Sequence, residues 1–182
     1  DPGAQSKALG QLHAGIDRAS RLVDQLLTLS RLDSLDNLDD VEPVMMADLL
    51  QSAVLDIWHP AQQAGIDVRL NVNAPEVMRH GQPLLLSLLA RNLLDNAVRY
   101  SPRGSVVDVT LNTQSFTVRD NGPGISTDAL TRLGERFYRP PGQDATGSGL
   151  GLSIVMRIAA LHGMRVSLGN APEGGFAVTV SW

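Results

Sequence analysis

A chain of 182 residues, 43% hydrophobic and 19% charged, carries enough apolar material for one domain of about 100–150 residues plus a small appendage, and is not of disordered composition. It has no cysteine, and its one lysine, Lys7, is remote from every glycine-rich stretch. This excludes disulfides, thiolate zinc and a cysteine nucleophile, and argues against a Walker-type P-loop or a lysine Schiff base. A net charge of −4 and a pI near 5.5 leave no electrostatic footprint for nucleic acid or an anionic membrane surface, so neither is expected as a partner.

The first residues, Asp1-Pro2-Gly3-Ala4, lack the charged and apolar regions of a signal peptide. The longest apolar cluster, 84–90, is interrupted by Ser87 and is too short to span a bilayer. The chain reads as a fragment of something longer. Over residues 5–33, Leu9, Leu12, Ile16, Ala19, Val23 and Leu26 recur at spacings of three and four, a heptad seam broadened by Leu22, Leu27 and Leu29. Such a helix pairs with a second chain, the favoured reading, or docks on its own domain. Residues 34–44, rich in Asp and Glu, read as an acidic linker.

The spacing of Leu49, Leu50, Ala53, Val54 and Ile57 predicts a helix over 46–64 that stops at Gly65. Ile66, Val68, Leu70 and Val72 then alternate as a strand. A strongly apolar helix over 82–100 is followed by a turn at 101–104 and a hairpin of strands 106–111 and 116–120. A helix over 150–161 and strands 164–168 and 176–182 close the chain. Mixed order without strict β-α-β alternation predicts a two-layer α/β sandwich on a largely antiparallel sheet. Of the 17 glycines, 11 lie between Gly122 and Gly175, so loops able to approach a ligand are expected there.

At 100° per residue, Leu85, Leu89, Asn92, Asn96 and Arg99 share a wedge of roughly 80° on the third predicted helix. An amide stripe continuing a leucine row faces either a ligand cavity or a neighbouring loop. Alternation puts Asp120 on the core side with Phe116 and Val118. There it either accepts from a ligand donor such as the adenine amine, or closes an Asx turn. Gly147-Ser148-Gly149-Leu150-Gly151-Leu152 opens the last helix and presents bare N–H groups suited to phosphate, or is simply a flexible entry loop. Between these stretches, Glu135-Arg136-Phe137-Tyr138-Arg139 reads as a lid whose arginines neutralise phosphate, or as a solvated loop with Phe137 packed beneath it.

In this order, 92–97, 120–124, 135–139 and 147–152 resemble the N, G1, F and G2 boxes of two-component sensor histidine kinases. Residues 21–33 are similar to the second helix of that family's dimerisation hairpin. Arg139-Pro140-Pro141-Gly142 and the terminal 174–182 narrow the resemblance to a member from enteric bacteria. The resemblance divides the chain into a hairpin helix (1–36), a linker (37–45) and a catalytic ATP-binding domain (46–182) of the Bergerat type. It implies ATP with Mg²⁺, the metal on the Asn96 amide oxygen with Asn92 beside it. Arg99 and Tyr100 would border the phosphates and adenine, and Asp120 would read the adenine amine. Gly122 and Gly124 would admit backbone to the nucleotide, Gly147, Ser148, Gly149, Leu150, Gly151 and Leu152 would cradle phosphates, and Arg139 would offset charge at the γ-phosphoryl group. Asn92 and Arg139 are the residues assigned to catalysis.

The family's phosphoacceptor histidine is absent. His13, His59, His80 and His162 are followed by Ala14, Pro60, Gly81 and Gly163, and each reads as a surface or packing histidine. The first hairpin helix, sensor and membrane anchors are therefore expected outside this chain, which would be the cytoplasmic portion of a bacterial inner-membrane protein. A homodimer through the N-terminal helix and a response-regulator receiver domain are the implied partners. Two other functions stand beside the kinase. One is a gyrase- or MutL-like ATPase, disfavoured because Asn92 stands where those enzymes have a glutamate base. The other is a docking module whose nucleotide only orders the lid.

Overall fold

The computed structural model describes residues 2–140 and 147–182. Its elements are α1 (Pro2–Asp33), β1 (Glu42–Met45), α2 (Met46–Ala64), β2 (Asp67–Val72), β3 (Met78–Gly81), α3 (Pro83–Tyr100), β4 (Val106–Asn112), β5 (Ser115–Asp120), α4 (Thr127–Leu130), α5 (Gly151–Leu161), β6 (Arg165–Asn170) and β7 (Phe176–Ser181). Five strands form one sheet in the order β2-β4-β5-β7-β6, with β2 parallel to β4 and every other pair antiparallel. The register aligns Leu70, Val109, Val118, Val178 and Leu168 in one apolar row across it. That face is buried under α2, α3 and α5. The other carries polar residues such as Thr117 and Thr179, whose hydroxyls are bonded at 2.9 Å. This is the expected two-layer α/β sandwich.

The helices follow their apolar spacing. On α2, Leu49, Leu50, Ala53, Ile57 and Ala61 are buried, and the helix stops at Gly65, whose φ of 71° suits glycine. On α3, Pro83 occupies the first turn, where its missing N–H costs nothing, and Leu86, Leu89, Ala90, Leu93, Leu94 and Val98 enter the core. Three elements escape the sequence reading. β1 pairs antiparallel with β3, Glu42 opposite Gly81, so the stretch read as a linker contains a strand. Four residues including Pro43 show too little alternation to reveal it. The short α4 is capped by Ser126, whose Oγ accepts the Ala129 N–H at 3.4 Å.

The end of α1 docks against α5. Leu29 and Leu32 are 3% and 2% exposed, Arg157 of α5 donates to the carbonyls of Leu32 at 3.1 Å and Leu35 at 2.6 Å, and Arg136 pairs with Asp33 at 2.7 Å. Farther up the same helix Leu12, Ile16 and Val23 are 62%, 65% and 51% exposed. Docking on the same chain thus describes the last turns, and the apolar stripe upstream is bare in the single chain.

His162 ends α5 and holds the start of α3. Its Nδ1 lies 2.8 Å from the Ile158 carbonyl, while Nε2 accepts the Gln82 N–H at 3.1 Å. One nitrogen must donate and the other accept, so the ring is neutral with its proton on Nδ1. Burial holds its pKa below the ordinary histidine value, partly opposed by the Ile158 bond. A lowered folded-state pKa contributes stability above the unfolded value of about 6.5 that is lost as pH falls through the lowered value. Melting measured across this range is expected to show a falling midpoint below about pH 6.5. In His162→Phe this slope disappears, and the midpoint is lower at every pH because the Gln82 N–H loses its acceptor. An unchanged slope in the variant would remove His162 from the account.

Candidate functional site

α3 brings a buried amide to the sheet side of the molecule. The Asn92 Nδ2 donates to the Leu88 carbonyl one turn back at 2.8 Å, which fixes the side chain. The start of α5 then comes so close that a Cβ on Gly151 would meet the Asn96 Nδ2 at 3.1 Å, its Oδ1 at 3.2 Å and the Asn92 Oδ1 at 3.4 Å. The amide stripe therefore faces a helix N-terminus. Among the described residues no side chain caps α5, so its first N–H groups are available there as donors.

The glycine turn leading into α5 is held from three sides. Gly149 has φ 73°, and a Cβ there would meet the Phe137 backbone at 2.7 Å; the Phe137 N–H donates to the Gly149 carbonyl at 3.1 Å. Ser148 Oγ accepts the Leu150 N–H at 3.1 Å and donates to Gln25 of α1 at 2.5 Å. A Cβ on Gly147 would meet the Tyr100 hydroxyl at 2.7 Å.

Asp120 closes β5 opposite. Its Oδ1 accepts the N–H of Gly122 at 2.8 Å and of Phe176 at 3.2 Å. The Asx turn is thus present, and it uses one oxygen. Among the described residues Oδ2 has no hydrogen-bond partner, and Asp120 lines the cleft, so the turn and a ligand-reading role are compatible. Gly175, with φ 87°, sits against the Asp120 backbone so tightly that any Cβ would overlap its carbonyl oxygen.

These elements enclose a cleft of about 1160 Å³, its open mouth included, ample for a nucleotide-sized ligand. Asn92, Asn96, Arg99, Tyr100, Asp120, Gly124, Gly147, Ser148, Gly149, Gly151 and Leu152 all line it. Three candidates do not. Leu150 is fully buried and anchors the glycine turn in the core, and Gly122 serves to hold Asp120. Arg139 is exposed outside the lining, although Tyr138 and Pro140 on either side line it. Pro141 and Gly142 lie outside the described residues. Phe137 is 57% exposed, so it does not pack beneath the loop. Tyr138 is instead steadied by Arg132, whose guanidinium lies 4.1 Å from the ring centroid and bonds Glu135 at 3.1 Å.

The sequence reading misses several lining residues. Val118, Val178 and Phe176 supply an apolar platform beside Asp120. Val118 is findable, two residues before Asp120 on the same face. Gln25 carries no such signal. Asp95 also lines the cleft; burial pushes its carboxyl up, opposed by Arg91, Arg99 and Arg21. Among the described residues no group of three or more His, Cys, Asp or Glu could hold a metal ion.

A carboxylate over an apolar platform at one end, and amides with uncapped helix donors at the other, define a nucleotide-binding domain. Residues 81–182 match the model of the histidine kinase-, DNA gyrase B- and HSP90-like ATPases, and the chain belongs to that family. Over its full length it is 74% identical to the sensor protein QseC of Salmonella typhimurium and to that of Escherichia coli, spanning 40% of each. It is 36% identical to the sensor protein kinase PmrB of Pseudomonas aeruginosa, over 96% of this chain and 37% of that one. The solved cytoplasmic segment of histidine kinase QseC shares 63% identity with a TM-score of 0.67, covering 92% of this chain and 93% of that one. Full-length ShkA in complex with AMPPNP shares 26% identity with a TM-score of 0.82, covering 97% of this chain and 38% of that one.

Because Gly175 touches backbone that cannot move without displacing Asp120, Gly175→Ala is expected to destabilise the chain by more than about 2 kcal/mol in denaturant unfolding. Gly163→Ala has positive φ but open space around it, and is expected to cost about 1 kcal/mol. Equal losses in the two variants would contradict the close approach.

Proposed function

We propose that this chain is the ATP-binding catalytic region of a two-component sensor histidine kinase, preceded by the second helix of its dimerisation hairpin. It binds ATP and passes the γ-phosphoryl group to a histidine outside this chain, from which a response-regulator receiver aspartate takes it. The observation that carries this reading is the placement of Asp120 and the Asn92–Asn96 amide face in one cleft with the start of α5. None of the four histidines lies in the acceptor motif.

Adenine fits the platform end. Its exocyclic amine donates to the Asp120 Oδ2, where guanine would present a carbonyl and two acceptors would face each other. The phosphates extend toward Gly147, Ser148, Gly149 and Gly151, whose backbone and the α5 N-terminus offer N–H donors. Asn96 presents one neutral oxygen beside the phosphate path, which suits Mg²⁺ completed by phosphate oxygens and water. When bound, that ion neutralises phosphate charge. In the transfer, the bond from the γ-phosphorus to the β,γ-bridging oxygen breaks as a bond to the acceptor imidazole nitrogen forms, and ADP leaves with the bridging oxygen. Arg139 offsets the developing charge once its loop moves over the phosphates. Asn92 spends its N–H on Leu88, and its amide oxygen cannot take a proton from water, so hydrolysis is disfavoured.

The division into a hairpin helix (1–36), a linker (37–45) and a catalytic domain (46–182) belongs to this proposal, with β1 tying the linker's end to β3. So does homodimerisation through the bare stripe of α1. Among the described residues no helix is long and apolar enough to cross a membrane. The proposal places anchors elsewhere in the parent protein and this region in the cytoplasm.

The test mixes this chain with γ-labelled ATP, Mg²⁺ and a separately made first-helix peptide carrying the acceptor histidine. Acid-labile label on the peptide is the expected result. Rapid phosphate release without the peptide would favour the hydrolase, and nucleotide binding with neither outcome would favour the docking module.

A further inference from the structure

Where α1 crosses the mouth of the cleft, a second pocket opens. Arg18, Arg21, Leu22 and Gln25 of α1 line it together with Arg99, Gly147 and Ser148. Gln25, Arg99, Gly147 and Ser148 line the main cleft as well, so the two spaces adjoin at the glycine turn. The hydrogen bond from Ser148 Oγ to Gln25 at 2.5 Å fastens the junction.

The pocket is strongly cationic. Three guanidiniums converge on it, from two separate elements. Arg21 Nε donates to the Asp17 backbone carbonyl, and among the described residues neither Arg18 nor Arg21 forms an ion pair with a carboxylate. Asp95 faces Arg21 and Arg99, and Arg18 has no carboxylate partner among the described residues. Arginines beside an anion path suit phosphate oxygens, because the planar fork donates two parallel bonds.

We propose that this pocket is the subsite for the terminal phosphate of the nucleotide, and that Arg18 and Arg21 let the chain distinguish a triphosphate from a diphosphate. The inference rests on reading the main cleft as an adenine-nucleotide site. With adenine at Asp120 and phosphates passing Gly151 and Gly149, the next group in line arrives at Ser148 and Gly147, where the arginines of α1 wait. The helix that carries the bare apolar stripe is then also part of the nucleotide site. A diphosphate ends before the pocket and leaves α1 held by the packing of Leu29 and Leu32 and by the bonds to Gln25, Arg136 and Arg157.

Calorimetric titration of the whole chain with ADP, and with a non-hydrolysable ATP analogue, in Mg²⁺ buffer tests this. Arg18→Ala/Arg21→Ala is expected to weaken binding of the analogue about ten-fold or more while leaving ADP within about two-fold. Arg18→Lys/Arg21→Lys should recover part of the loss, because charge returns without the fork. Both arginines are exposed, so an unchanged melting temperature will show that the fold is intact. Equal weakening of both ligands, or of neither, overturns the subsite. So does inorganic phosphate binding that is unaffected by saturation with the analogue, since the pocket would then be an independent anion site. Failure of the wild-type chain to bind ADP brings down the nucleotide reading and this subsite with it, whereas ADP binding with no effect of the arginines brings down the subsite alone.

Discussion

The approach of the α5 N-terminus to the amide face of α3 is the constraint on which the site depends. An amide buried without partners costs about 1–3 kcal/mol, and a helix that begins without a cap leaves donors unmet. Here the two deficits face each other across Gly151, where a Cβ would crowd the Asn96 and Asn92 amides at 3.1–3.4 Å, and both line the cleft. Asn92 recovers one bond from Leu88 and keeps its oxygen toward α5. Neither element satisfies the other fully, and the proposed function assigns that residual hydrogen-bonding capacity to phosphate and a cation. Asp120 repeats the pattern at the other end, one oxygen committed to backbone N–H groups and the other without a hydrogen-bond partner among the described residues.

Much of this is legible in the amino-acid sequence. Long helices announce themselves by period, so α2 and α3 fall within a residue of their expected bounds, and the wedge of Asn92, Asn96 and Arg99 does face a cavity. Alternation places Asp120 correctly on the buried face. What escapes is short or tertiary. β1 and β3 are four residues each, less than the pattern needs to stand out. Leu150 sits in a glycine-rich run that reads as exposed loop, yet it plugs the core, because a turn that approaches a ligand must be anchored from below. Gln25 and Arg136 act through contacts between α1 and the rest of the chain. Those contacts are a serine hydroxyl on the Gln25 amide, the Arg157 guanidinium on backbone carbonyls and Arg136 on Asp33, which carry no periodic signal.

The same helix answers two demands. Its last turns are ordinary core, Leu29 and Leu32 sealed against α5, and its upstream face remains apolar and exposed. On the same stretch as that face, Arg18, Arg21 and Gln25 line the space beside the glycine turn. A helix fixed at one end by packing and in the middle by a few polar contacts can transmit what happens in the cleft to whatever covers its stripe. Arg136 contributes to this linkage from the lid side, since its ion pair with Asp33 ties the loop bearing Tyr138 to α1.

The most direct test concerns the free oxygen of Asp120. Asp120→Asn keeps an oxygen for the N–H groups of Gly122 and Phe176, so the fold should survive, but it turns an amide donor toward the base. Affinities for ATP and GTP measured on this variant and on the unaltered chain are expected to show ATP binding weakened at least about ten-fold and the preference for ATP over GTP lost. Unchanged ATP affinity, with the preference intact, would contradict the account.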